Sequence, residues 1–201
     1  MSREEFNDIE LDAIKEVINI GAGNAATAIS GLINKKVNMT VPKINILSFD
    51  EIFGDLDAEK VVISIGTRIL GEIHGSILFI LEKNKIDEFS SFYIQIEEKN
   101  KVILNIEMFK NMVEIISQYF IKSISKFTGL EVVSSNQEVV QDTLGAILST
   151  TFIELSQFED KVVDLEIRFL VSEEYEKIIG HLYYIPTTDS LDRILKSLKV
   201  R

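Results

Sequence analysis

The sequence predicts an α+β fold with an internal pseudo-twofold duplication, in which long helices pack on a β-sheet. Three observations carry this. Two long stretches, about 8–34 and 105–127, have apolar residues at three- and four-residue steps. Each is followed by short runs rich in β-branched residues. The order of long helix, strands, strand pair and short helix then recurs, so the 201 residues read as one domain of two half-repeats, about 8–95 and 105–198.

Taken in order, Leu11, Ile14, Ile18, Ala25, Ile29 and Leu32 form the stripe of the first helix, which ends near Asn34. VNMTVPKINILSF (37–49) reads as a strand, a kink at Pro42 and a second strand. Residues 61–66 and 73–81 read as two strands joined near Gly71, and 84–95 as a short helix. The long helix 105–127 ends at Gly129, a C-terminal cap. Residues 137–153 read as a helix leading into a strand or turn, 162–171 and 178–185 as strands, and 188–198 as a short closing helix. KEVINIGAGNAATAIS (15–30) aligns without a gap on KNMVEIISQYFIKSIS (110–125), and IHGSILFIL (73–81) resembles IIGHLYYIP (178–186).

Composition excludes several functions. The chain has 32 acidic and 21 basic residues, a net charge of −11. Nucleic-acid and anionic-membrane binding both rest on Lys/Arg charge, so neither is expected. There are no cysteines, which removes thiol nucleophiles and Cys-based metal sites, and only two histidines, His74 and His181, too few for a three-His metal centre. The N-terminus has no secretory pattern and no apolar run reaches about 18 residues, so a cytoplasmic protein is expected.

Asp12, Glu16 and Asn19 stand at i, i+4 and i+7 of the first helix, within about 60° of one another and roughly 140° from the apolar stripe. The same ridge continues through Gly23, Ala26, Thr27 and Ser30, all small. A solvated face normally carries long side chains, so either another part of the chain or a partner's surface lies on this ridge. GAGNAA (21–26) also fits the G-x-G-x-x-A dinucleotide fingerprint, but that motif follows a strand, and here a helical stripe precedes it. Paired carboxylates such as Asp12 and Glu16 suit acid-catalysed hydrolysis, yet nothing specifies the ring-sized cleft that such chemistry needs.

The stretch LDAIKEVINIGAGNAATAISGLINKKVNMTVP (11–42) resembles the N-terminal helix of the CheC phosphatases of chemotaxis. Asp12, Glu16, Asn19 and Pro42 match the family pattern D-x3-E-x2-N-x22-P, and FTGLEV (127–132), QDTLGAILSTTF (141–152) and the helix after IPTTDSL (185–191) are similar to its second half. The resemblance implies hydrolysis of the aspartyl phosphate of the response regulator CheY, with Asn19 positioning the attacking water and Glu16 anchoring the partner. Asp12, Gly23, Ala26 and Thr27 become partner contacts. No cofactor of the chain's own is implied, because phospho-CheY carries its Mg²⁺ and an active-site lysine. CheD is a second implied partner. The fused half-repeats favour a monomer over the dimeric CheX arrangement. The given sequence starts almost at the helix and stops at residue 201, so the extra segments of FliY are not expected. The alternative is a module that binds phospho-CheY or CheD without catalysis.

The second half departs from the pattern. Alignment places Asn111 where the glutamate belongs and Glu114 where the asparagine belongs, with Glu107 and Gln137 for the aspartate and proline. Its ridge continues through the bulkier Gln118, Ile121 and Lys122, so a degenerate second site is expected.

Overall fold

The structure, a computed structural model, describes residues 6–34, 36–54, 57–82, 101–155, 161–170, 178–187 and 189–201. The expected helix at 84–95 lies outside the described residues.

Helix α1 (Asp8–Ile33) starts at a capping box: the Asn7 side chain accepts from the Glu10 N–H, and the Glu10 carboxylate accepts from the Asn7 N–H, both at 3.0 Å. It ends at Asn34 in the left-handed region, whose N–H donates to the Ser30 carbonyl. There follow β1 (Asn38–Ser48), α2 (Phe49–Gly54), β2 (Val61–Gly71), β3 (Gly75–Glu82) and the second long helix α3 (Lys101–Thr128). Gly129 closes α3 at φ 75°, its N–H on the Ser125 carbonyl. The chain continues through β4 (Val132–Ser134), β5 (Glu138–Thr143), α4 (Leu144–Leu155), β6 (Lys161–Leu170), β7 (Ile178–Pro186) and α5 (Ser190–Ser197).

The strands form an antiparallel sheet in the order β1-β6-β7-β3-β2-β4, with β5 also on β2. Strands β3 and β7 pair at the centre, from Gly75 opposite Pro186 to Ile80 opposite His181. Outwards from them, β2 and β6 follow, and each carries on its outer side a strand from the other half of the chain: β5 on β2, and β1 on β6. In this palindromic order each half of the chain lends a strand to the other.

Both faces of the sheet are covered, so strands such as ILFIL (77–81) are apolar at successive positions. Ile77, Phe79 and Leu81 join the larger core with Ile14, Ile18 and Ile29 of α1, Ile116 and Phe120 of α3, and Leu191 and Leu195 of α5. Leu78 and Ile80 face a smaller core closed by Ile52 of α2 and by Leu144, Ile147 and Leu148 of α4. The two long helices approach closely at Gly21. A Cβ there would lie 3.0 Å from Phe120 Cδ1 and 3.1 Å from the Tyr119 carbonyl oxygen.

Two expectations change. Residues 37–49 are not two strands broken at Pro42 but one strand with an irregular register between Thr40 and Lys43. Pro42 makes a bulge because two residues of β1, Val41 and Pro42, stand against the single Ile167 of β6. In 137–153 the order is reversed: the strand comes first, at 138–143, and the helix follows. Hydrogen bonding to the open side of β2, from Val61 opposite Thr143 to Gly66 opposite Glu138, decides this.

Candidate functional site

The side of α1 that faces away from α3 divides lengthwise. Asp12, Glu16, Gly23 and Thr27 are exposed. A Cβ built on Gly23 meets nothing within 4 Å, so the ridge is open there. Thr27 Oγ1 donates to the Gly23 carbonyl at 3.0 Å and projects no free hydroxyl proton. Ala26, expected among the exposed contacts, is 6% exposed and belongs to the core. Its position on the helix turns it towards the seam with β1, as the flanking Asn19 and Ser30 show. The ridge is thus covered by the chain itself on one edge and open on the other.

Two polar side chains stitch that seam. Ser30 Oγ accepts from the Val37 N–H at 2.8 Å and donates to the Ala26 carbonyl at 2.7 Å. Asn19 Oδ1 accepts from the Val41 N–H at 3.0 Å, and Asn19 Nδ2 donates to the Val41 carbonyl at 3.4 Å. Asn19 is half-buried, one turn along from the exposed Glu16. Its amide is therefore held in one orientation on the boundary between the seam and the open ridge. An amide oxygen has two lone pairs and an amide nitrogen two protons, so each atom keeps one hydrogen-bonding position beyond its bond to Val41. Val41 itself is missing from the sequence-derived site, since its contribution comes from the backbone. The signal that points to it is Pro42, which restricts the residue before it to extended conformations.

The first turn of α1 is tied to the C-terminal residues. Glu10 is 2% exposed, and its carboxylate accepts from Arg201 Nε at 2.7 Å. Arg201 also pairs with Asp192 of α5 and lies over the Phe6 ring, 5.0 Å from its centroid. The hydrogen bond from Arg201, then that from the Asn7 N–H, holds the Glu10 carboxyl below the usual glutamate value, against an opposing push from burial. The ridge helix is thereby anchored at its N-terminal end.

The second half presents a different surface. Asn111 and Glu114 are both exposed on α3, and Gln118 Nε2 donates to Glu114 Oε1 at 3.1 Å. Among the described residues no α3 side chain grips the β4–β5 backbone as Asn19 grips Val41. Instead Gln137, the counterpart of Pro42, points its amide at α3: with its nitrogen and oxygen placed to satisfy both ends, it donates to the Lys110 carbonyl and accepts from the Glu114 N–H. Between α3 and residues 134–137 lies an open polar cavity of about 360 Å³. The expected pair is present on the surface, but the strand contact that orients Asn19 has no equivalent there. Among the described residues no group of three or more His, Asp or Glu side chains is placed to hold a metal ion, and no helix is long and apolar enough to cross a membrane.

Residues 9–46, which contain the ridge and its seam, match the model of the CheC-like family. Along its length the chain is 29% identical over 204 residues to the CheY-P phosphatase CheC of Bacillus subtilis (strain 168), covering 96% of this chain and 97% of that protein. It is 31% identical over 81 residues to the flagellar motor switch phosphatase FliY of the same organism, covering 40% of this chain and 21% of that protein. The fold is also that of the crystal structure of Thermotoga maritima FliY, with a TM-score of 0.77 at 17% identity, covering 98% of this chain and 99% of that one. The Asp12, Glu16, Asn19 and Pro42 pattern, built on one helix and its neighbouring strand, lies within the residues that match the CheC-like family model, and the chain is similar to a CheC protein over nearly its whole length.

Proposed function

We propose that this protein is a phosphatase for the aspartyl phosphate of a CheY-type response regulator. The observation that carries the reading is the Asn19 amide, held by Val41 at the edge of an open helical ridge one turn from Glu16. The similarity to a CheY-P phosphatase over nearly the whole chain supports it.

The chemistry needs little from the enzyme. In hydrolysis a water oxygen bonds to phosphorus, the bond from phosphorus to the aspartate oxygen breaks, and the electron pair leaves on the carboxylate. The regulator brings its own Mg²⁺ and lysine to balance charge, so the phosphatase requires no metal or nucleophile. Its task is to hold the water in line with the breaking bond. The remaining Oδ1 lone pair of Asn19 accepts a hydrogen bond from that water, whose proton passes to the departing phosphate, and the remaining Nδ2 proton is available to a phosphoryl oxygen. Glu16 pairs with a cationic group beside the phosphorylation site and holds the helix over it. Asp12, Gly23 and Thr27 complete the contact, and Ala26 supports it from beneath. One such site serves a monomer, with Asn111 and Glu114 outside the reaction. CheD is the second partner in this reading.

The test is phosphate release from Mg²⁺-bound phospho-CheY with the intact protein, Asn19→Ala and the Asn111→Ala/Glu114→Ala double variant. We expect acceleration by the intact protein and the double variant, and at least about a hundredfold loss of turnover in Asn19→Ala. Loss only in the double variant would place the live site on α3. No acceleration by the intact protein, together with retained binding of phospho-CheY or CheD, would make it a docking module.

A further inference from the structure

We propose that the Val41–Pro42 bulge of β1 is a positioning element for Asn19, and so part of what sets the turnover number. The inference rests on the phosphatase reading and extends it to residues that never touch the substrate.

The argument starts from burial. Val41 is 1% exposed, so its N–H and C=O need partners within the protein. The pairing of β1 with β6 runs from Thr40 opposite Arg168 directly to Lys43 opposite Glu166, passing over Val41 and Pro42. The two polar groups of Val41 go instead to one side chain, the Asn19 amide. A regular strand would alternate its backbone groups in step with the ladder; a bulge breaks that step and re-aims them. Pro42 favours this geometry in two ways. It has no N–H to contribute to a ladder, so its place in a bulge costs no hydrogen bond. Its ring also keeps Val41 out of the helical region, and in an extended residue the N–H and C=O point to the same side. A bidentate receptor for a planar amide is thereby built before Asn19 meets it. Ser30, bonded to Val37 at the other end of the seam, fixes the distance between strand and helix.

The bond to Val41 leaves Asn19 one free position on each amide atom, as the water-holding role requires. Without the clamp the amide would rotate about its side-chain torsions, and the fraction correctly aimed would fall. That loss appears in turnover, because docking uses the exposed ridge and is unaffected.

Pro42→Ala gives Val41 access to other backbone conformations and adds an N–H at position 42. Two measurements are made on it. Phosphate release over a range of phospho-CheY concentrations should show kcat reduced about tenfold, with the half-saturating concentration unchanged. Heteronuclear NMR of the free protein should show the Asn19 side-chain amide protons exchanging faster with solvent than in the intact protein. A thermal melt checks that the variant folds; if it does not, Pro42→Val, which keeps a strand-favouring residue, takes its place. Unchanged kcat, or an effect confined to the half-saturating concentration, overturns the proposal. So does an Asn19 amide signal that does not change. If the intact protein shows no acceleration, the phosphatase reading fails on its own account, and the NMR comparison still decides whether the bulge holds Asn19.

Discussion

Replacing Gly23 by alanine separates two properties of the α1 ridge. Glycine within a helix costs about 0.8–1 kcal/mol relative to alanine. At Gly23 a Cβ meets nothing within 4 Å, so the full gain should appear as stability. For a chain of this size, about 1 kcal/mol raises Tm by about 2–4 °C. Gly21, two residues away, has the same propensity to gain, but its Cβ would lie 3.0 Å from Phe120 Cδ1, 3.1 Å from the Tyr119 carbonyl oxygen and 3.3 Å from Phe120 Cα. Backbone atoms cannot rotate aside, and Phe120 is 1% exposed, so α1 and α3 must separate. Overpacking of this kind costs about 1–3 kcal/mol, which leaves Gly21→Ala less stable than the parent by about 1 kcal/mol after the propensity gain. Thermal and urea unfolding of the three proteins should thus move in opposite directions for the two substitutions. The same Gly23→Ala protein should need several-fold more phospho-CheY for half-saturation, with kcat retained, because its methyl occupies the open ridge. Shifts of the same sign would refute the assignment of one glycine to the helix contact and the other to solvent. A stabilised Gly23→Ala variant with unaltered half-saturation would refute the ridge as a docking surface.

Two further outcomes follow from the site and its anchor. Glu16→Ala should raise the half-saturating phospho-CheY concentration several-fold, an effect of about 1 kcal/mol, and the difference should shrink in about 0.5 M salt; unchanged saturation would remove Glu16 from the docking contact. Glu10 has a folded-state pKa below its ordinary 4.5, so its stabilising contribution is complete above that value and is lost as pH falls through the lowered one. Urea midpoints between pH 7 and pH 3 should therefore fall more steeply for the parent than for Glu10→Gln, and parallel curves would refute the assignment of this acid sensitivity to the Arg201–Glu10–Asn7 cluster.

The sequence by itself determined the helical ridge and the class of chemistry. Asp12, Glu16 and Asn19 share a face of α1 because the 3.6-residue period makes i, i+4 and i+7 neighbours, whatever packs around them. The absence of cysteine and the excess of acid narrow the function in the same way, because they depend on residue counts alone. Tertiary structure decided what period cannot express. The strand at 138–143 is a strand because the edge of β2 is open to it, a pairing between residues more than seventy positions apart. Ala26 is buried because β1 lies along one edge of the ridge, whereas Gly23, three residues before it, remains open. The orientation of Asn19 likewise depends on Val41, twenty-two residues away, whose backbone is freed by a bulge set against β6 from the other half of the chain. Periodicity records which side chains share a helix face; only the assembled sheet determines which of them find a partner within the protein and which stay open to another molecule.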